Sequence, residues 1–118
     1  MDNNYKKNTS FEQRKNESER ILNKYPDRIP IICEQSNNSK LQKLTKSKFL
    51  VPKDLTAGQF AYVIRKKIKL NQEQAIFLFI NNTLPPTASM IGNLYNEHKD
   101  VDGFLYVVFS EEAVFGGN

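Results

Sequence analysis

Apolar and polar positions change period several times along the chain, and each change predicts an element. Ser10-Phe-Glu-Gln13 sets a hydroxyl three residues before a glutamine, the pairing that satisfies the free amides of a helix start. The polar, helix-compatible stretch behind it runs to about Asn23 with few apolar residues, chiefly Phe11, Ile21 and Leu22. It predicts an accessory helix attached along a narrow stripe and ended at Tyr25-Pro26-Asp27. Arg28 to Glu34 reads as a strand, Gln35 to Lys40 as a polar turn, and Lys48 to Val51 as a second strand closed by Pro52. Pro30 and Pro52 lack a backbone donor, so this hairpin-like pair is expected to leave an open edge. Thr56-Ala-Gly-Gln59 repeats the capping pattern, and Phe60, Val63, Ile64 and Ile68 follow at helical spacing, which predicts an amphipathic helix over residues 57–68 that covers the core. Ile76 to Ile80 is a strand apolar on both faces, Asn81-Asn82 a turn, and Pro85-Pro86 a loop before a short helix carrying Ile91, Leu94 and Tyr95. Phe104 to Phe109 is the last strand, and the element order is an α+β pattern.

Composition narrows the function classes. The chain has 118 residues, 39% hydrophobic and 25% charged, as expected of one globular domain. Its longest apolar run, Ala75 to Ile80, is far short of a membrane span, and its start lacks a signal-peptide apolar region, so a cytoplasmic protein is expected. The single cysteine, Cys33, lies in an apolar strand and reads as a core thiol. A net charge of +4 is gathered in Lys40, Lys43, Lys46 and Lys48 and again in Arg65-Lys66-Lys67 with Lys69. Such clusters suit acidic peptides or anionic lipid headgroups; no recognition motif accompanies them, so nucleic acid is not expected as a partner. No glycine loop for phosphate is present, and the only histidine, His98, has no Cys or His neighbour in metal-ligand spacing, so neither a bound cofactor nor a metal is expected. No nucleophile stands beside a plausible base, and Glu111-Glu112 on an extended segment would point to opposite sides. The chain reads as a substrate or adaptor and not as an enzyme.

The end of the sequence supplies a different chemistry. Phe115-Gly116-Gly117-Asn118 follows the last strand, and a glycine carboxylate can be activated and transferred within a narrow site because no Cβ stands in the way.

Lys24-Tyr-Pro-Asp-Arg-Ile-Pro30, Lys48-Phe-Leu-Val-Pro52, Asp54-Leu-Thr-Ala-Gly-Gln-Phe60, Ile64-Arg-Lys66, Phe79-Ile-Asn-Asn82, Pro85-Pro-Thr87, Leu94-Tyr95, Gly103-Phe-Leu-Tyr106 and Phe115-Gly116 occur in this order along the chain. Together they resemble the autophagy-related protein 8 family, its GABARAP branch in particular, from about residue 5 to the end. The resemblance implies a ubiquitin-like β-grasp fold, a four-stranded mixed sheet with two additional N-terminal helices. The expected organisation is a helical extension over residues 1–26, a β-grasp core over 27–110 and a tail over 111–118. It implies a processing cysteine protease that cuts after Gly116, then activating and conjugating enzymes that pass the exposed carboxyl to phosphatidylethanolamine. The protein would then be cytoplasmic, and on autophagosome or vesicle membranes when lipidated. Gly117 is small where the family often has a bulkier residue, which leaves cleavage after Gly117 as a second register; the Phe115-Gly116 match favours Gly116. An unconjugated, soluble peptide-binding adaptor in vesicle trafficking is the alternative.

The same resemblance implies binding of aromatic-x-x-aliphatic motifs of cargo receptors and adaptors, often preceded by acids. The aromatic pocket would use Glu17, Ile21, Pro30, Ile32, Lys48, Leu50 and Phe104. The aliphatic pocket would use Phe49, Val51, Pro52, Leu55, Phe60 and Val63. Arg28, Lys46 and Lys48 would meet the ligand's acids, and Ile76, Phe77 and Phe79 resemble a secondary docking site. Geometry agrees at one point: alternation along the second strand sends Lys48 and Leu50 to one face and Phe49 and Val51 to the other. Anchors three apart on an extended ligand likewise point to opposite faces, so a peptide added as a strand could fill a pocket on each side. No long apolar seam is left over, and a monomer is expected.

Overall fold

Both capping signals do what their spacing requires. Ser10 accepts the Gln13 amide at 3.2 Å while the Gln13 side chain takes the Ser10 amide at 3.2 Å, and α2 runs Phe11–Lys24. Thr56 and Gln59 repeat the exchange, starting α3, Ala57–Lys67. The computed structural model describes residues 4–113. Around these helices lie α1 (Asn4–Asn8), α4 (Ile91–His98), β1 (Arg28–Gln35), β2 (Lys48–Pro52), β3 (Phe77–Phe79) and β4 (Leu105–Ser110).

The strands form one mixed sheet in the order β2-β1-β4-β3. Parallel β1 and β4 fill its centre, with Ile31 opposite Leu105, and antiparallel β2 and β3 flank them. Alternation divides the strand side chains between two faces. Ile29, Ile31, Cys33, Val51, Leu78, Leu105, Val107 and Phe109 join Phe60, Ile64 and Ile68 of the α3 segment in the main core. The opposite face carries Pro30, Ile32, Phe79 and Tyr106, and α2 packs there. Cys33 is fully buried, and burial pushes its thiol well above the usual thiol range, as a core thiol requires.

Several elements depart from the sequence-based expectation. The third strand is confined to Phe77–Phe79, because Ile80 already bridges Thr83 at the Asn81-Asn82 turn, where both asparagines adopt positive φ. Phe104 lies just before β4. Pro30 does not mark an edge, since β1 is an inner strand. Cys33 N–H donates to the Ser47 carbonyl and Lys53 N–H to the Asp27 carbonyl, so the alternating antiparallel pattern makes Pro30 opposite Leu50 a non-hydrogen-bonded pair. Its missing donor would face the β4 side, where pairing begins only at Ile31.

The attachment of α2 differs most. Phe11, expected on its apolar stripe, is 46% exposed, and the buried residues of the helix are Arg14 and Ser18. Both reach Asp102. The Arg14 guanidinium donates to the Asp102 carboxylate at 2.8 Å, the Ser18 hydroxyl donates to its carbonyl, and the Tyr106 hydroxyl and Phe104 amide donate to the same carboxylate. Gly103 permits this approach: its φ is +93°, and a Cβ there would overlap the Ser18 side chain.

Candidate functional site

Of the two edge strands, β2 and β3, the open edge expected beside β1 belongs to β2, and the register fixes which backbone groups it presents. With residues 47 and 53 paired inwards to β1, the alternation sends Phe49 and Val51 inwards as well. The amides and carbonyls of Lys48 and Leu50, and the Pro52 carbonyl, therefore face away from the sheet. An added strand would find partners at Lys48 and Leu50, and beyond them Pro52 offers no donor.

Each face of this edge carries part of the expected site. On the α2 side, β1 supplies Pro30 and Ile32, both buried, opposite Leu50 and Lys48. Half-buried Glu17 and Ile21 come from α2. The Lys48 ammonium lies 2.6 Å from the Glu17 carboxylate. Tyr5 of α1, absent from the sequence-derived set, completes this side: its hydroxyl donates to Glu17 at 3.0 Å and its ring meets Phe104 edge-on at 5.5 Å. The Lys48 ammonium also stands 5.3 Å from the centre of the Tyr5 ring. Burial alone would raise the Glu17 carboxyl, but hydrogen bonds from Lys48 and Tyr5 hold it below the usual carboxylate range. Burial first, then the bond to Glu17, pushes the Tyr5 phenol up. No periodicity in the polar stretch around Tyr5 could have singled it out.

On the α3 side, Phe49 meets Phe60 edge-on at 5.5 Å. Phe60 is fully buried and Val51 nearly so, which makes them floor, while Phe49, Leu55 and Val63 are half-buried and Pro52 is exposed. A cavity of about 390 Å³ lies along this stretch, lined by Leu44, Thr45, Lys46, Lys48, Phe49, Leu50 and Lys67. It brings Lys67, which the sequence reading had not assigned to the site, beside Lys46. Arg28 is exposed at the far end of the edge, opposite Pro52.

The remaining candidates fall elsewhere. Ile76 and Phe77 keep some accessible surface, whereas Phe79 is 3% exposed, on the α2 face of the sheet. Gly116 and Gly117 lie outside the described residues. Among the described residues, no group of His, Cys, Asp and Glu could hold a metal ion, and no helix is long and apolar enough to cross a membrane.

A four-stranded mixed sheet with one long helix on its core face and two N-terminal helices added around the opposite face defines a ubiquitin-like domain with an N-terminal extension. Residues 13–116 match the family described as autophagy protein Atg8, ubiquitin-like. Autophagy-related protein 8 of Schizosaccharomyces pombe is 57% identical over 112 residues, covering 95% of this chain and 93% of that relative. The crystal structure of Trypanosoma brucei ATG8 superposes with a TM-score of 0.91 at 44% identity, covering 98% of this chain and 100% of the other. Plasmodium falciparum Atg8, solved in complex with a Plasmodium falciparum Atg3 peptide, gives a TM-score of 0.86 at 37% identity, covering 96% of this chain and 98% of the other. The chain belongs to the Atg8 family of ubiquitin-like autophagy proteins.

Proposed function

We propose that this chain is a lipid-conjugated modifier that gathers short peptide motifs on autophagosomal membranes, and that it serves as the substrate of its enzymes. A cysteine protease hydrolyses the peptide bond after Gly116. An activating enzyme uses a nucleoside triphosphate to turn the Gly116 carboxylate into a mixed acyl-phosphate anhydride. That enzyme's thiol displaces the phosphate group to form a thioester, and thiol exchange passes the acyl group to the conjugating enzyme. The amine of phosphatidylethanolamine attacks, an amide forms, and the thiol leaves with the proton that the amine gives up. Two acyl chains arrive with the lipid, enough for stable anchoring where one would be marginal. Family membership and the Phe115-Gly116 sequence support this reading.

The observation that carries the recognition half is the β2 edge, where outward backbone groups at Lys48 and Leu50 lie between apolar positions on both faces. A peptide added there would place an aromatic side chain towards Ile21, Pro30 and Phe104 and an aliphatic one towards Phe49, Leu55 and Val63. Acids preceding the motif would meet Lys46, Lys48 and Arg28, a contribution that speeds association and weakens with salt. The peptide complex of the Plasmodium relative supports peptide binding as a mode of partner recognition.

Intact-mass and C-terminal peptide spectrometry on soluble and membrane fractions of starved cells tests the conjugation. The expected forms end at Gly116 in the cytosol and at Gly116 plus phosphatidylethanolamine in membranes. An unmodified Asn118 terminus in both fractions overturns it. The β2 edge is built without the tail, which favours one second reading, a soluble peptide-binding adaptor. Gly116→Ala separates the two, because peptide binding survives it under both readings, whereas membrane attachment exists to be lost only under the first.

A further inference from the structure

Lysines gather at one end of the sheet, the end from which the tail leaves. The end of β1 and the end of β4 lie side by side, with Gln35 opposite Phe109, and Ser36 N–H donates to the Phe109 carbonyl at 2.9 Å. The loop over residues 36–47 is thereby held next to the tail, and Lys40 N–H donates to the Glu111 carboxylate at 2.8 Å. That loop carries Lys40, Lys43 and Lys46. Lys67 of α3 lines the same cavity as Lys46, and Lys69 follows in the connection to β3, whose Phe77 pairs with Ser110 of β4. All five lysines are exposed, and among the described residues none of their ammonium groups forms an ion pair. They outnumber the carboxylates of this end, Glu34, Glu73, Glu111 and Glu112; of these, Glu34 already accepts the Tyr5 amide and Glu111 the Lys40 amide.

The chain leaves little room between this end and a conjugated lipid. From Ala113 to Gly116 the backbone spans at most about 11 Å when fully extended. That reach is comparable to the screening length of about 8 Å at physiological salt. We propose that the lysines around the tail exit form a docking surface for the anionic headgroups of the membrane that carries the conjugate. The inference rests on conjugation at Gly116 and adds to it an orientation, with the 36–47 loop and the end of α3 facing the bilayer. The β2 edge would rise from the surface from Lys48 towards Pro52, its Lys48 end nearest the membrane.

The test supplies the anchor chemically, so it does not depend on the cellular enzymes. The full chain carrying Gly116→Cys is coupled to maleimide-bearing phosphatidylethanolamine in vesicles of phosphatidylcholine alone, or of phosphatidylcholine with phosphatidylserine. Buried Cys33 should not compete for the maleimide. Lysine acylation rates are then read by peptide mass spectrometry. Lys40, Lys43, Lys46, Lys67 and Lys69 should react several-fold more slowly on the anionic vesicles, high salt should abolish the difference, and Lys24, Lys53 and Lys99 at the opposite end should not change. Equal labelling on both vesicles overturns the proposal. So does protection by a free acidic peptide but not by the anionic vesicles, which would make the lysines a protein-binding surface. Either result leaves conjugation itself to be judged by the mass of the cellular protein.

Discussion

Asp102 has no accessible surface, yet it holds together α2, the turn before β4, and β4 itself. Removing one partner from such a site strands the other charge out of water. Asp102→Ala should therefore cost on the order of 3–5 kcal/mol in urea unfolding, and Arg14→Ala added to it should cost much less than it does alone. Additive losses would show that the two side chains act independently. Glu17 behaves differently because it is partly exposed. Its folded carboxyl lies below the ordinary range, so its contribution is fully present above an unfolded value of about 4.3 and is lost as pH falls through the lower folded value. Wild type should exceed Glu17→Gln by about 1 kcal/mol or less at neutral pH, and the gap should close in acid. A gap that persists in strong acid would assign the stabilisation to something other than the charge.

For the elements, alternation makes a prediction with no adjustable part. Addition of an aromatic-x-x-aliphatic peptide should slow amide exchange at Lys48 and Leu50, whereas Phe49 and Val51 should already be slow in the free protein. Protection confined to α4, or spread evenly along β2, would place the ligand elsewhere. The docking of α2 offers a second test. Gly103→Ala sets a Cβ against Ser18 at a backbone angle that L side chains rarely adopt, and should destabilise by about 2 kcal/mol or more. Ser18→Gly should cost less in the Gly103→Ala chain than in wild type, because there it also removes the obstructing side chain, and additive losses would leave backbone strain as the whole cost.

The molecule as a whole depends on contacts far apart in sequence. Five-residue α1 is too short to persist alone. It is held because Glu34 accepts the Tyr5 amide at 3.0 Å, Lys6 reaches Asp100 at 2.7 Å, and the Tyr5 ring packs on Phe104. Burial raises the Glu34 carboxyl, and the amides at the start of α1 offset part of that rise. Deleting residues 1–9 leaves the Ser10 cap in place but uncovers Phe104, and should lower Tm by about 5–10 °C in a scanning melt. An unchanged Tm would mean that α1 adds no net stability to the fold.

Sequence alone determined whatever depends on near neighbours. Capping boxes at Ser10 and Thr56 announce both long helices, alternation sorts Phe49 and Val51 from Lys48 and Leu50, and the apolar spacing of Phe60, Ile64 and Ile68 assigns the core face of α3. The family resemblance supplied most of the candidate pocket residues, which lie on separate elements and share no period. Tertiary structure decided what depends on long-range pairing. It made β1 an inner strand despite Pro30, since the missing donor faces a stretch where β4 has not yet begun. It anchored α2 through Arg14, Ser18 and Asp102 in place of Phe11, and it brought Tyr5 to Glu17 and Phe104. The physical reason is common to all three: a polar side chain becomes an anchor only when its partner arrives from another part of the chain, and local periodicity does not encode that partner.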